Sequence, residues 1–489
     1  MPKSAPARLH ATGMFRSTAI RSSAFTSGSC GGGSSGSQQK ISRSIFRSAI
    51  LAPICWSPPS GPDGRPQIAI RAGVPYHQVT DIAVPLAAGE LACLPQRKTQ
   101  ATRITEDGVM TVSNAIWRDQ LTDAERATLG RGDGVIADPR PDVLVVGGGI
   151  LGVATAAACH EAGLGSVLLI ETGRLGTGAT GGATGLLIPE PHQWSDPEPF
   201  VDLERASLER WRDLEQSVPG GVGLVELDWI GLAPSSGGFA AHQPPAIEWL
   251  SPGQVELLVP GLARSMEGAL IRRQARLNPL RAVARLAAGL PAVATGVAAT
   301  AVTIRGARIT SVATSAGDIQ PGAVVFATGL PPVLDGLALR LPSDRVKGHL
   351  LVTEPAPLRL PGIVAPIATQ IEDGRLLAGG TFDVGDESPA VQPEVIDSIM
   401  AGLAATMPAL RGLGIAYQWC CFRPRHPDRR PVIDQVPGLE NAWLTSGHFR
   451  TGILNAPMTA AVLARWIGGG GPPAEPATWA ASRFAARAG

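Results

Sequence analysis

The sequence predicts an α/β protein with a parallel sheet built around a βαβ unit. An apolar, strand-like stretch at 142–146 runs directly into three glycines with GxGxxG spacing. A run of small residues at 153–162 predicts a tightly packed helix, and a second apolar strand follows at 167–170. Beyond this unit, strand and helix signals alternate along the chain, which is the pattern of an α/β fold.

Each part of this unit has a physical role in binding the ADP portion of a dinucleotide. Gly147 allows a tight turn, Gly149 lets the backbone approach a pyrophosphate, and Gly152 lets helix and strand pack closely. The turn includes Ile150, and the helix N-terminus offers free N–H groups and a positive dipole end to phosphates. Glu171 ends the second strand, where its carboxylate can accept hydrogen bonds from a ribose hydroxyl. The sequence therefore predicts a dinucleotide site.

Length and composition exclude several classes of function. The chain has 489 residues, of which 44% are hydrophobic and 17% charged, as in globular proteins of two or three domains. A formal net charge of +1 gives no electrostatic basis for binding nucleic acid. The six cysteines show no metal-ligand spacing, so no metal site is predicted, and no apolar run has the length of a membrane span. These features predict a cytoplasmic, bacterial protein and are compatible with a homo-oligomer.

Residues 1–109 differ in composition from the rest. The first acidic residue is Asp63, and the stretch 27–37 is almost entirely Gly and Ser. Such a segment cannot bury enough apolar surface to offset its chain entropy, so we expect it to be disordered, or a non-native extension preceding a start near Met110. An acid-free leader rich in Arg and Ser is also typical of a transit peptide. Residues 110–140 are predicted to form a helical lead-in.

Four further segments carry chemistry. They are Gly178-Ala-Thr-Gly-Gly-Ala-Thr-Gly185, Ala327-Thr328-Gly329, Phe422-Arg-Pro-Arg-His-Pro-Asp428 followed by Pro431-Val-Ile, and Ser446-Gly-His-Phe-Arg-Thr-Gly-Ile-Leu-Asn-Ala-Pro457. Together with the βαβ unit, they resemble the FAD-dependent amino-acid oxidase superfamily, which includes glycine oxidase, D-amino-acid dehydrogenase and monomeric sarcosine oxidase. The resemblance extends from about residue 141 to residue 470 and implies an FAD cofactor.

The resemblance assigns most of these segments to the cofactor. It implies that the small-residue loop runs under the flavin, that the strand-end glycine returns the chain to the cofactor, and that a strand pair touches the adenine. A helix N-terminus near the end of the chain would stabilise negative charge on reduced flavin. The residues implied are Gly178, Ala179, Thr180, Ala299, Ala327, Gly329, Gly447, Thr451, Gly452 and Ile453.

The same resemblance predicts a substrate pocket. Arg423 lies where glycine oxidase grips the substrate carboxylate, a role suited to a fork that donates two parallel hydrogen bonds. Arg450 would add a second positive charge, Phe382 would line the pocket, and His448 is interpreted as structural rather than as an acid or base. Ile367 takes the place of an aromatic hydroxyl in glycine oxidase, so a second carboxylate contact is missing and glycine is in doubt as substrate.

The implied reaction is oxidation of a small amino acid, namely glycine, a D-amino acid or an N-methyl amino acid. Hydride passes from the α carbon to the flavin, the resulting imine hydrolyses, and oxygen or another acceptor reoxidises the cofactor. Non-covalent FAD is favoured over a link at Cys421, although sarcosine oxidase carries a flavin-linked cysteine at a similar spacing. Two alternatives remain open: a flavin-binding subunit of a heteromeric amino-acid, opine or hydroxyproline-type dehydrogenase, and an NAD(P)-linked dehydrogenase.

The predicted architecture is an FAD-binding, Rossmann-like domain assembled from discontinuous segments, plus a substrate domain with a mostly antiparallel sheet. Paired strands turning at Gly306 and a hairpin turn at Asp373-Gly374 are predicted within these regions. The boundaries place 141–195, 270–345 and 415–470 in the FAD-binding domain, 196–269 and 346–414 in the substrate domain, and 471–489 in a tail.

Overall fold

A computed structural model of the chain describes residues 115–234 and 247–487. The predicted disorder of 1–109 and the predicted start near Met110 both concern residues outside these ranges. The predicted helical lead-in contains two short helices, and the second opens with a capping box in which Thr122 and Glu125 bond each other's backbone amides.

The secondary structure alternates between strands and helices. The strands are β1 Val143–Val146, β2 Val167–Glu171, β3 Leu186–Leu187, β4 Val225–Pro234, β5 Glu248–Leu250, β6 Met266–Arg276, β7 Ala292–Thr295, β8 Ala299–Arg305, β9 Arg308–Thr314, β10 Gly317–Ile319, β11 Ala323–Gly329, β12 Asp344–Pro355, β13 Ile363–Ala365, β14 Ala368–Gln370, β15 Arg375–Gly379, β16 Ile415–Arg425, β17 Val432–Gln435 and β18 Ala442–Ser446. The helices are α1 Ala115–Asp119, α2 Asp123–Thr128, α3 Ile150–Glu161, α4 Ala179–Gly182, α5 Pro189–His192, α6 Glu198–Ser217, α7 Pro252–Leu258, α8 Pro279–Ala288, α9 Pro393–Thr406, α10 Gly452–Arg465 and α11 Pro476–Trp479. Among the helices of the described ranges, none combines the length and the apolarity needed to cross a membrane.

A six-stranded sheet forms the first layer, in the order β17-β18-β11-β1-β2-β7. β1 lies inside it and pairs in parallel with β11 and β2, with Val145 opposite Val325 and Leu169. All four residues of β1 are buried, as expected for a strand covered on both faces. The prediction of a parallel α/β sheet is confirmed, and its strands come from widely separated stretches of the chain.

Helix α3 packs on β1, β2 and β11 of this sheet, and α10 packs on α3. Both helices carry small buried residues, among them Ala156 on α3 and Ala460 on α10. Pro457 lies inside α10 and lacks the N–H that would bond the carbonyl of Ile453. The indole of Trp211 on α6 donates to that carbonyl at 3.0 Å and so replaces the missing helix bond. α6 therefore supports the N-terminal half of α10.

A nine-stranded sheet forms the second layer, in the order β16-β12-β15-β14-β13-β4-β6-β3, with β5 paired to β6. Its pairs are antiparallel except for β13 with β4, which confirms the predicted mostly antiparallel sheet. The predicted boundary grouped β16 with the nucleotide-binding segments, whereas β16 pairs along its length with β12 in this second sheet. A smaller sheet, β10-β9-β8, contains the predicted strand pair that turns at Gly306.

Candidate active site

The glycine loop between β1 and α3 has no room for side chains at two of its glycines. Gly147 has a φ of +114°, and a Cβ atom there would lie 2.5 Å from the carbonyl oxygen of Ala327 on β11. A Cβ atom on Gly152 would lie 1.8 Å from the carbonyl oxygen of Gly147. The helix therefore packs directly on the loop and on β11, which is the close approach that the GxGxxG spacing predicts.

A carboxylate closes the other side of this loop. Glu171, at the end of β2, accepts a hydrogen bond from the Gly148 amide at 2.6 Å and another from the Gly173 amide at 2.9 Å. A carboxylate has about four acceptor positions, so two remain for hydroxyl donors such as those of a ribose. The structure thus places Glu171 beside the glycine loop, where its predicted role requires it.

The N-terminus of α3 opens between this loop and α4. Its N-cap residue, Gly149, contributes no side-chain bond, and the amide of Ile150 donates to Thr180 Oγ1 at 3.1 Å. Two indoles hold the C-terminal end of α4. Trp117 donates to the carbonyl of Ala183, and Trp419 donates to the carbonyl of Gly182. The predicted small-residue loop of residues 178–185 contains the short helix α4 and is joined to the N-terminus of α3 through Thr180.

The strand-end motif and the C-terminal motif meet at one hydrogen bond. The Gly447 amide donates to the Gly329 carbonyl at 2.8 Å, and both glycines adopt positive φ, +69° and +82°. α10 begins immediately afterwards at Gly452 with Thr451 as a buried N-cap residue that makes no side-chain cap bond. Its first turn therefore presents amide groups and a positive dipole end.

These features fit a flavin dinucleotide. The glycine loop excludes side chains, the N-cap residues of α3 and α10 make no side-chain cap bond, and a carboxylate stands beside the loop. The residues before Ala299 also bond the Glu171 region, through the Val297 amide and the Glu171 carbonyl at 2.9 Å. Backbone hydrogen bonds thus connect the segment at Val297 to the βαβ unit and the segment at Gly447 to the end of β11.

Arg423 lies on β16 and faces the loop that follows β15. Its Nη1 donates to the carbonyl of Thr381 at 2.8 Å, and its guanidinium carbon lies 4.7 Å from the centre of the Phe382 ring. Burial lowers its pKa from the usual arginine value, because the charged form is poorly solvated. Among the ion pairs of the described residues none includes Arg423, whereas Arg425 pairs with Asp344. A desolvated guanidinium without a carboxylate partner is a binding group for an anion.

Phe382 and Phe449 form an apolar wall next to Arg423. Their ring centroids lie 5.6 Å apart with the planes inclined by 48°. The predicted pocket residue Phe382 is therefore brought together with Arg423 and with the C-terminal motif. Ile367, by contrast, is buried in the turn between β13 and β14, in an apolar cluster with Val364. Its role in the pocket stays a prediction.

Arg450 already has a carboxylate partner. Its Nη2 lies 2.6 Å from Asp196 Oδ2 and 2.9 Å from Ser195 Oγ, in the turn between α5 and α6. Its positive charge is therefore compensated within the protein. The predicted direct role of Arg450 toward a substrate stays a prediction, and Asp196 is a neighbour that the sequence did not indicate.

His192, Asp196 and Glu204 bring together ligand atoms within 4.8 Å of one another. The guanidinium of Arg450 stands against this group and supplies the positive charge that a cation would bring. Burial raises the pKa of Glu204 well above its usual range, and burial lowers the pKa of His192 to about 3. The two side chains are joined by a hydrogen bond of 2.7 Å between His192 Nδ1 and Glu204 Oε2.

His448 is buried and hydrogen-bonded to Thr445 through Nε2 at 2.8 Å. Burial, with a smaller contribution from His426, lowers its pKa to about 3. The ring is therefore neutral over the physiological range, and the structural role of His448 stays a prediction. Cys421 is also buried, and burial raises the pKa of its thiol, so little of the nucleophilic thiolate is present.

Gly348 on β12 is a site residue that the motifs missed. It lies opposite Cys421 in the β12–β16 pair, and a Cβ atom there would lie 2.3 Å from Arg423 Nη1 and 2.5 Å from the Thr381 carbonyl oxygen. The missing side chain is what makes room for the guanidinium. A lone glycine inside a strand often marks such a close approach, and this was the available sequence signal.

Replacing Gly348 with alanine is expected to displace the Arg423 guanidinium from the Thr381 carbonyl. We expect KM for a carboxylate substrate to rise by tenfold or more, since displacements of about 1 Å at such groups cost up to about a hundredfold. Bound flavin should be unchanged. Steady-state kinetics with Gly402→Ala as control measures this, because a Cβ atom at Gly402 meets nothing within 4 Å. Equal KM values in both variants would contradict it.

Comparison with known proteins identifies the chain. Residues 142–466 match the DAO family, described as FAD dependent oxidoreductase. Glycine oxidase of Pseudomonas aeruginosa is 29% identical over 365 residues, which cover 69% of this chain and 98% of that protein. The hydrogen cyanide synthase subunit HcnC of Pseudomonas protegens is 27% identical over 51% of this chain and 62% of its own length. A crystal structure of glycine oxidase from Geobacillus kaustophilus superposes with a TM-score of 0.63 at 23% identity, covering 70% of this chain and 99% of that chain. The chain belongs to the DAO family and is an FAD-dependent oxidoreductase.

Proposed function

We propose that this enzyme oxidises a small amino acid or N-methyl amino acid whose carboxylate binds to Arg423. The observation that carries the proposal is the half-buried Arg423 guanidinium, which donates to the Thr381 carbonyl and takes part in none of the ion pairs recorded for the described residues. A planar carboxylate is the ligand that matches this fork. The glycine oxidase relative supports the same class of substrate.

The chain's own residues position the substrate and exclude water. Arg423 fixes the carboxylate, and the rings of Phe382 and Phe449 supply an apolar wall that limits the solvent around the α carbon. When bound, FAD supplies the acceptor for the hydride that leaves the α carbon, and the imine product hydrolyses in water. The N-terminus of α10 contributes positive potential to the site.

No strong base is needed if the amine binds in its neutral form. His448 is buried and neutral, and His192 shares its hydrogen bond with Glu204, so neither takes the place of a general base in this proposal. Because the rings of Phe382 and Phe449 make the wall beside Arg423 apolar, we propose substrates with a small apolar side chain or an N-methyl group in preference to glycine.

A panel of amines tests this proposal. The purified enzyme is incubated in air with glycine, N-methylglycine, small D-amino acids and their carboxamides, and the 2-oxo product (an oxo acid or its amide) and peroxide are measured. We expect a 2-oxo product from at least one carboxylate substrate and none from its amide. Peroxide in equal amount would identify an oxidase, and oxo acid formed only with an artificial electron acceptor would identify a dehydrogenase. Equal turnover of acid and amide would contradict the role of Arg423.

We further propose that the flavin is bound without a covalent link. The raised pKa of the buried Cys421 thiol supports this, because forming a thioether requires the nucleophilic sulfur. After acid precipitation, we expect all yellow colour in the supernatant. A yellow pellet that turns colourless in a Cys421→Ala preparation would support the link instead.

One relative favours a second candidate function. The similarity to hydrogen cyanide synthase subunit HcnC is compatible with a flavin-binding subunit that works within a heteromeric dehydrogenase. Turnover by the isolated chain argues for the first proposal. A bound flavin that amino acids reduce only after a partner from the host extract is added would support the second. Membership of an FAD-dependent family makes the NAD(P)-linked alternative unnecessary.

A further inference from the structure

Beyond β15, the chain bulges before it rejoins β12. Gly379 pairs with Leu350, and the next bridge joins Asp383 to Lys347, which leaves one extra residue on the bulged side. Gly379 and Gly380 adopt φ values of +103° and +92°, which allow this bulge. Bulges re-aim side chains next to functional sites. This one carries Phe382 and the Thr381 carbonyl to Arg423.

A hydrogen-bonded cluster fixes the peptide of Thr381. Its hydroxyl accepts from the His349 amide at 2.8 Å and donates to Asp383 Oδ2 at 2.8 Å. The same carboxylate oxygen lies 2.8 Å from His349 Nδ1. The Gln392 amide donates to His349 Nε2 at 3.0 Å, so the proton of the ring is on Nδ1 and points to Asp383. Both ring nitrogens of His349 are thus hydrogen-bonded.

The β12 side of this cluster is buried, whereas Thr381 and Asp383 are half-buried. Lys347 and His349 are fully buried, and Lys347 Nζ donates to Asp386 Oδ2 at 2.8 Å and to the Ala390 carbonyl at 2.7 Å. Burial opposes ionisation of Asp383, but the bonds from His349 and Thr381 outweigh it and hold the pKa of its carboxyl below the usual range. A carboxylate oxygen that is hydrogen-bonded by two side chains in this way rigidifies the backbone around it.

We propose that Thr381, Asp383 and His349 are positioning residues that set the direction of the Arg423 guanidinium toward the substrate carboxylate. The inference rests on the function proposed for Arg423. None of the three needs to touch the substrate, because they act through the Thr381 carbonyl, which accepts from Arg423 Nη1. They determine the affinity for carboxylate ligands and leave other contacts of the ligand unchanged.

Thr381→Val and Thr381→Ser test this proposal as a matched pair. Valine keeps the shape of threonine but removes the hydroxyl, and serine keeps the hydroxyl. The readout is the Kd of glycolate and of its uncharged amide, glycolamide, measured from perturbation of the flavin spectrum. We expect Thr381→Val to weaken glycolate binding by about tenfold and glycolamide binding by less than about twofold, with serine close to the wild type.

Three outcomes separate the possibilities. Equal weakening of glycolate and glycolamide in Thr381→Val would show a general lesion of the pocket and would overturn the proposal. Unchanged glycolate binding in that variant would overturn it as well. Wild-type enzyme that binds glycolate no better than glycolamide would instead refute the proposed role of Arg423. If Thr381→Val does not fold, Asp383→Asn is measured in the same way, since it keeps the size of the side chain and removes its charge.

Discussion

Replacing Arg423 with alanine is expected to lower kcat/KM for the amino-acid substrate by about 10²–10³-fold, because truncating one partner of a buried charged pair costs about 2–5 kcal/mol. Arg423 supplies a half-buried guanidinium on β16 that is paired with no carboxylate of residues 115–234 and 247–487. The alanine variant lacks both the positive charge and the two parallel N–H donors of the guanidinium. Flavin content should be unchanged, since Arg423 is assigned to the substrate.

Two further variants make this result specific. Arg423→Lys keeps the charge but not the fork, so we expect most of the loss to remain. Arg345→Ala removes an exposed arginine from the neighbouring strand and should keep wild-type kinetics. Steady-state kinetics and the ratio of flavin to protein absorbance provide the measurements. Wild-type kcat/KM in Arg423→Ala would show that the carboxylate binds elsewhere.

Replacing Gly152 with alanine is expected to abolish stoichiometric FAD binding. The added Cβ atom would lie 1.8 Å from the Gly147 carbonyl oxygen, so α3 must move away from the glycine loop. Such overpacking costs about 1–3 kcal/mol of the free energy of unfolding. Loss of bound cofactor removes a further stabilisation, about 2.7 kcal/mol for a ligand present at a hundred times its Kd.

The measurements are the flavin-to-protein ratio and the melting temperature with and without added FAD. We expect Gly152→Ala to be purified largely colourless and to gain little in Tm when FAD is added. Gly402→Ala is the control, since it adds the same methyl group to a helix where nothing lies within 4 Å. A yellow, fully loaded Gly152→Ala protein would contradict the account of the glycine loop.

The nucleotide-binding part of the fold was predictable because its signals are local. A strand, three glycines at fixed offsets and an acidic residue lie within a short stretch of chain, and the structure brings Glu171 to the Gly148 amide. Glycine is needed at these positions because neighbouring backbone atoms leave no room for a side chain. At Gly152, for example, a Cβ atom would meet the carbonyl oxygen of Gly147. The resemblance to known oxidases supplied the distant segments that no local pattern joins.

The surroundings of the two arginines were not predictable in this way. Arg450 and Asp196 are 254 residues apart in sequence, and nothing in either segment indicates their contact. The support of Arg423 likewise depends on a bulge after β15 and on a glycine in β12, a strand that carries no catalytic motif. Packing across the sheet decides such contacts, and the assignment of β16 to the second sheet follows from the same long-range pairing.

The central claim is that an amino acid bound through its carboxylate delivers a hydride to FAD in this enzyme. Anaerobic mixing of the purified yellow protein with N-methylglycine and small D-amino acids, followed by flavin absorbance, tests it most directly. We predict bleaching that saturates with the concentration of at least one of these acids, that its amide does not produce, and that is lost in Arg423→Ala. Flavin that a chemical reductant bleaches but that no amino acid bleaches, alone or with host extract, would contradict the account.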